Sequence, residues 1–217
     1  MSSRIARRLV LAALVAAGPA ASAGELGIEG HGGYFSMTAE NSANAVFESK
    51  GGATFGGAVR YAFGNGIFVA AGLRLFSKEG ERVFVATPSG PVARLGHPLT
   101  VEVNPYFLTA GYRLGQGRLV VPYAGAGVTL ASYKEESEVA GERYEESFTK
   151  TGFHALAGVE VGRGLVRFGG EAAWSTVPDA IGLGGVTDVY GEDDIGGWTF
   201  LGKIVLTFGG ASKPGAP

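Results

Sequence analysis

From residue 24 onward, apolar side chains recur at every second position in eight stretches, each bounded by glycine or by polar residues. A period of two marks β-strands with unlike faces. The pattern predicts strands near Leu26–Met37, Ala53–Phe63, Ile67–Phe76, Val101–Leu114, Leu119–Tyr133, Phe148–Val161, Leu165–Val177 and Trp198–Phe208. At roughly 10–15 residues they are long beside the 5–6 of an average soluble strand and match the 9–11 that cross a bilayer at the usual tilt. In the second strand Phe55, Val59, Tyr61 and Phe63 share one face, and Gly56, Ala58, Arg60 and Ala62 share the other. Arg74 in the third strand, His154 and Glu160 in the sixth, Arg167 and Glu171 in the seventh, and Lys203 in the eighth likewise oppose the apolar face. The fifth strand sets Ala124, Ala126, Val128 and Leu130 against Tyr123, Gly125 and Gly127, and its parity stays open.

The connections sort by length. Three are tight: Gly64-Asn65-Gly66, Gly115-Gln116-Gly117 and Gly162-Arg163-Gly164, where terminal glycines supply the positive φ of a short hairpin. Four are long and polar: Thr38–Gly52, Ser77–Thr100, Lys134–Ser147 and Pro178–Gly197. Long and short alternate strictly, as in a membrane barrel with short turns at one end and loops at the other. The apolar face could point inward instead, as in a soluble lipid-carrying barrel. Against that, the other face is rich in Gly, Ala, Ser and Thr, and aromatic residues gather near both strand ends of the apolar face. Tyr61, Phe63, Tyr112, Phe168 and Phe208 form one belt, and Phe55, Tyr106, Phe153, Trp174 and Trp198 the other.

Residues 1–23 read as a secretory signal peptide. Arg4, Arg7 and Arg8 precede the apolar run Leu9–Ala17 and the small-residue site Ala21-Ser22-Ala23. That run is too short to span a bilayer as a helix. Without its three arginines, 15 basic and 20 acidic side chains remain, a net of −5. The mean hydropathy of +0.18 is high for an exported chain with no helical span. The 217 residues fit one domain and contain 38 glycines but no cysteine, which excludes disulfides, thiolate metal sites and a cysteine nucleophile. A slightly acidic balance leaves no basic footprint for nucleic acid.

The strand count, the loop alternation and the segment Val121-Pro122-Tyr123-Ala124-Gly125-Ala126-Gly127-Val128 resemble the small eight-stranded outer-membrane barrels, the class containing OmpX, Ail, OmpW and the OmpA membrane domain. The last strand, with Ile204, Leu206 and Phe208, is similar to the terminal signal read by the barrel-assembly machinery, although nine residues follow Phe208 and Gly202 lies one place from the usual glycine. The resemblance implies an all-β, eight-stranded antiparallel up-and-down transmembrane β-barrel over residues 24–208. It also implies a short tail at 209–217, export through the Sec pathway to the outer membrane, and a monomer surrounded by outer-membrane lipids and lipopolysaccharide.

In so narrow a barrel Glu29, His31, Arg60, Arg74, His154, Glu160, Arg167, Glu171 and Lys203 are expected to form a polar cluster in the lumen, paired because unpaired buried charge is costly. The third and fourth loops are acidic: Lys134–Ser147 holds six glutamates, and Pro178–Gly197 holds Asp179, Asp188, Glu192, Asp193 and Asp194 with no base. They suit a solvated rim, with divalent-cation binding as the sharper reading. The His-x-Ser pair of lipid A deacylases is absent, since Ala155 and Leu156 follow His154, and His31, His97 and Ser175 make no recognisable motif. No enzymatic activity, cofactor or metal is expected. The favoured function is surface structure, adhesion or envelope integrity through the long loops, with an unidentified surface ligand. The alternatives are a narrow channel for small or hydrophobic solutes and a soluble periplasmic lipid-binding barrel.

Overall fold

A computed structural model describes residues 24–115, 117–139, 141–181 and 185–209. The expected signal peptide and residues 210–217 of the tail lie outside the described residues, as does Gln116 of the second tight turn. Eight strands form a closed barrel in which each pairs with its chain neighbours and the last with the first. They are β1 (Glu25–Met37), β2 (Gly51–Ala62), β3 (Ile67–Phe84), β4 (Ala93–Arg113), β5 (Val120–Val139), β6 (Glu142–Arg163), β7 (Val166–Thr176) and β8 (Gly197–Gly209). Two short helices sit in the long loops, α1 (Glu40–Phe47) after β1 and α2 (Val186–Tyr190) before β8. All eight pairings are antiparallel. No helix among the described residues is long and apolar enough to cross a membrane, which says nothing of crossing by strands.

The register fixes the barrel's shape. Followed from strand to strand, Leu26 leads through Tyr61, Val69, Ala110, Ala126, Ala155, Trp174 and Trp198 back to Ser36, a stagger of ten residues on β1. With strands about 4.7 Å apart and about 3.3 Å of rise per residue, eight strands staggered by ten tilt about 40° and leave an interior that side chains fill.

Alternation decides what fills it. On β8, Ile204 is 52% exposed and its neighbour Val205 0%. Phe55, Leu73, Leu108, Phe153, Phe168 and Trp198 also face outward, while every charged residue named on the second face points in. This overturns the soluble lipid-binding barrel, which would need the apolar face inside. The fifth strand is settled too: Ala124, Ala126, Val128 and Leu130 face out and Tyr123 faces in.

The tight turns lie at one end, with Glu25 of β1 and Gly209 of β8 paired beside them. Gly115, Gly117, Gly162 and Gly164 hold the expected positive φ, but in the first turn only Gly66 does, at 95°. There Asn65 accepts a bond from the Ile67 amide at 3.0 Å, stabilising the turn locally.

Two expected loops are largely strand. Ser77–Thr100 is reduced to a connection between Phe84 and Ala93, and Lys134–Ser147 to the turn between Val139 and Glu142. β3, β4, β5 and β6 therefore continue beyond β2 and β7 as a projecting four-stranded sheet. The ten β6 residues Glu142–Thr151 alone add roughly 30 Å of strand.

Placing arginine on the lipid face tests this orientation. Ile204→Arg, midway between the aromatic belts, is expected to cost about 2–4 kcal/mol in urea unfolding from lipid vesicles. Leu114→Arg, at the short-turn end, should cost about 1 kcal/mol or less.

Candidate functional site

The polar interior is built in two tiers. Nearest the short turns, Arg60 of β2, Arg113 of β4 and Arg167 of β7 converge on Glu25 and Glu29 of β1 and Glu160 of β6. Arg60 grips Glu160 with both terminal nitrogens and reaches Glu29 at 2.7 Å. Arg113 bridges Glu25 and Glu160, each at 2.7 Å, and Arg167 lies 2.8 Å from Glu25 and 3.7 Å from Glu160. Three guanidinium groups and three carboxylates thus neutralise one another where little water can help.

The second tier lies deeper. Lys203 of β8 bonds Glu29 at 2.6 Å and Glu171 at 2.9 Å, and the Tyr123 hydroxyl donates to Glu171 at 3.0 Å. His154 is held between two threonine hydroxyls, Thr109 at Nε2 and Thr129 at Nδ1, both at 2.9 Å. Phe107 stands among the rings, 6.0 Å from His154 and 6.4 Å from His31, with the Arg74 guanidinium 4.9 Å from its centroid. A small pocket opens here, bordered by Glu29, His31, Phe107, Tyr123, Glu171 and Lys203.

All nine residues expected in the lumen are buried inside the barrel. Sequence reasoning omitted Arg113, Glu25 and the two threonines on His154. Arg113 was readable, because Tyr106, Leu108, Ala110, Tyr112 and Leu114 alternate outward and place it inward. Glu25 lies one residue before the expected start of β1. His154, Glu160 and Ser175 do not form a catalytic relay. His154 is committed to the threonines, Glu160 to arginines, and Ser175 to the Gly197 carbonyl at 3.4 Å.

Beyond the second tier the lumen becomes apolar. Phe35, Phe76, Val101, Val103, Tyr133 and Ile195 pack into a layer across the outer mouth, and Tyr133 stacks on Phe148 at 4.7 Å. The Tyr133 hydroxyl donates to Glu135 at 2.9 Å. The loops carrying α1 and α2 close over this layer.

Their acids are partly structural. Glu192 accepts from the Asn41 amide at 2.9 Å, its side chain at 3.1 Å and the Ser42 amide at 2.8 Å, capping the α1 N-terminus where unpaired amides favour negative charge. Asp194 accepts from Thr176 at 2.6 Å, the Val177 amide at 2.7 Å and the Gly196 amide at 2.6 Å. In the projecting hairpin Glu136 meets Lys134 and Arg143, and these hydrogen bonds, Lys134's first, hold its carboxyl below the usual range. No group of three or more His, Asp or Glu side chains among the described residues is arranged to hold a metal ion.

The two environments predict responses to charge removal of different size. Glu160→Gln leaves arginines buried without their carboxylate and is expected to cost about 3–5 kcal/mol of stability in lipid, read from urea midpoints. Lys50→Ala removes a rim pair to Glu40 whose side chains are 47% and 54% exposed. That change should cost less than about 1 kcal/mol.

Solved structures with this fold share little sequence with the chain. A major outer membrane protein of Thermus thermophilus is 12% identical with a TM-score of 0.56, the match covering 86% of this chain and 100% of that one. The N-terminal β-barrel domain of Pseudomonas aeruginosa OprF is 13% identical with a TM-score of 0.50, covering 85% and 97%. Ail of Yersinia pestis, solved with the heparin analogue sucrose octasulfate, is 16% identical with a TM-score of 0.50, covering 86% and 99%. No curated protein matches the sequence. The sequence pattern of the outer membrane protein beta-barrel domain matches residues 9–162, from before β1 through all but the last residue of β6. With eight closed strands, an apolar outer face and a charge-paired lumen behind that match, the chain belongs to the outer membrane protein beta-barrel domain family.

Proposed function

We propose that this protein is a non-conducting outer-membrane anchor that acts through what it projects outward. The observation that carries this reading is the double closure of the lumen, an ion-paired tier of six charges followed by an apolar layer at the mouth. A solute would have to separate buried ion pairs and then displace packed aromatic rings. The barrel serves to hold the projecting sheet and the α1–α2 loops at a fixed height above lipid and lipopolysaccharide. Export through the Sec pathway, with residues 1–23 removed, and insertion as a monomer by the barrel-assembly machinery belong to the same proposal.

Charge narrows the partner. By alternation Glu79, Glu102, Glu136, Glu138 and Glu145 share the outward face of the projecting sheet with Lys134 and Arg143, which leaves that face net acidic. The heparin analogue bound by Ail is a polyanion. An acidic face favours basic partners, or lipopolysaccharide phosphates only where divalent cations bridge, so surface adhesion here is read as recognition of positive charge. The deacylase motif is missing and His154 is bonded to threonines, which supports a non-enzymatic role.

In planar bilayers the folded protein is expected to give no stepwise conductance; regular steps would instead establish the narrow channel. Replacing residues 136–145 with Asn-Gly, which closes the β5–β6 hairpin at the paired Glu135 and Glu146, should preserve the heat-dependent gel mobility shift and the urea midpoint. Loss of either would show that the projecting sheet supports the barrel rather than being carried by it.

A further inference from the structure

The interior charges do not balance. Five cations, Arg60, Arg74, Arg113, Arg167 and Lys203, face four carboxylates, Glu25, Glu29, Glu160 and Glu171. By charge the three arginines nearest the turns are offset by Glu25, Glu29 and Glu160, although each keeps an Nε without a partner among the described residues, so the surplus falls on the inner tier. There Glu171 gives one oxygen to Lys203 at 2.9 Å and Tyr123 at 3.0 Å, and its other oxygen comes only within 3.9 Å of Arg74. Arg74 is 6% exposed and donates no hydrogen bond to any described residue, although a guanidinium carries five N–H donors. Its guanidinium also lies over the face of Phe107.

This cation borders a pocket between the polar tiers and the apolar layer. Arg74 is the only charged residue in its lining; Thr54, Thr129 and Ser175 bring hydroxyls, and Phe35 and Ile195 shield the outer side. Glu171 borders the other pocket, not this one. The centre of a water-sized particle can range over about 20 Å³ here, enough for a single small ion or water. Ser175 is held only by its 3.4 Å bond to the Gly197 carbonyl, so its hydroxyl can turn into the pocket.

The geometry points to a binding site for a compact monovalent anion, a halide or a small carboxylate, against Arg74 in the outer half of the lumen. Such an ion cancels the surplus charge, satisfies guanidinium donors and tolerates a lining that is half apolar. A larger or doubly charged anion would overshoot a surplus of one. The site is a property of the barrel interior and does not depend on the functional reading above.

Urea unfolding of the lipid-reconstituted protein in sodium chloride, formate and gluconate at equal ionic strength tests this. The midpoint should rise and saturate with chloride, formate or both, relative to bulky gluconate, because a ligand that binds only the folded state stabilises it by mass action. Arg74→Gln should abolish that increment. Chloride alone identifies a halide site, and formate alone a carboxylate site. Coincident midpoints in the three salts, or an increment that survives Arg74→Gln, overturn the proposal. Should Arg74→Gln not fold, wild-type crystals grown in bromide and in formate decide the question. Density for either ion against the Arg74 guanidinium supports the site, and density for both ions only elsewhere overturns it.

Discussion

The structure depends on one constraint: inside a bilayer every backbone amide and carbonyl must find its partner within the protein. Eight antiparallel strands satisfy it only when β8 pairs with β1, and the thirteen register pairs of that seam run the full length of both strands. Closure with a ten-residue stagger then sets the tilt, and the tilt sets the bore. A bore this narrow leaves side chains little choice but to occupy it. The polar interior is therefore a consequence of ring closure, and its ion pairs are the condition under which charged side chains can be accommodated there at all.

Within that interior, distance from water sorts the chemistry. Carboxylates and guanidinium groups crowd the end nearest the short turns, where the network closes on itself. Aromatic rings, threonines and histidines take the middle, around Arg74 and the Lys203–Glu171 pair. Aliphatic and aromatic packing takes the mouth, where the wall continues above the membrane and loop residues such as Ile195 fold back over it. The same polypeptide presents a lipid-like exterior and an ionic interior at one height, separated by a single layer of backbone.

Most of the membrane-embedded part was legible because period-two alternation there is physically enforced. Lipid on one side and a packed lumen on the other give each strand two unlike faces, and Arg74 or Glu171 could be assigned from its neighbours alone. The projecting hairpins were not legible for the same reason inverted. Between Lys134 and Ser147 both faces of the sheet meet water, so nothing forces apolar residues to alternate and a glutamate-rich strand reads as a loop. The lumen's pairing pattern was hidden as well. Arg60 and Glu160 are 100 residues apart, and only the register around the ring reveals that they meet. The structural acid Glu192 looked like part of a solvated rim because a capping interaction between two distant loops has no local signature, and Asp194 because its partners Thr176 and Val177 lie across its own loop.

The Glu192 clasp has a bearing on how the ring is assembled. The loop of α1 follows β1 and the loop of α2 precedes β8, so the bonds from Glu192 to Asn41 and Ser42 straddle the outer end of the seam. At the opposite end Glu25 of β1 holds Arg167 of β7. The seam joins residues from the two extremes of the chain, the pairing with the largest loop-closure entropy if it formed before the intervening hairpins. Clasps at both rims make it behave as a fastening drawn shut once the sequential hairpins have brought its edges together. The direction of synthesis then has a structural counterpart, since β1 keeps an unpaired edge until the final strand of the chain arrives.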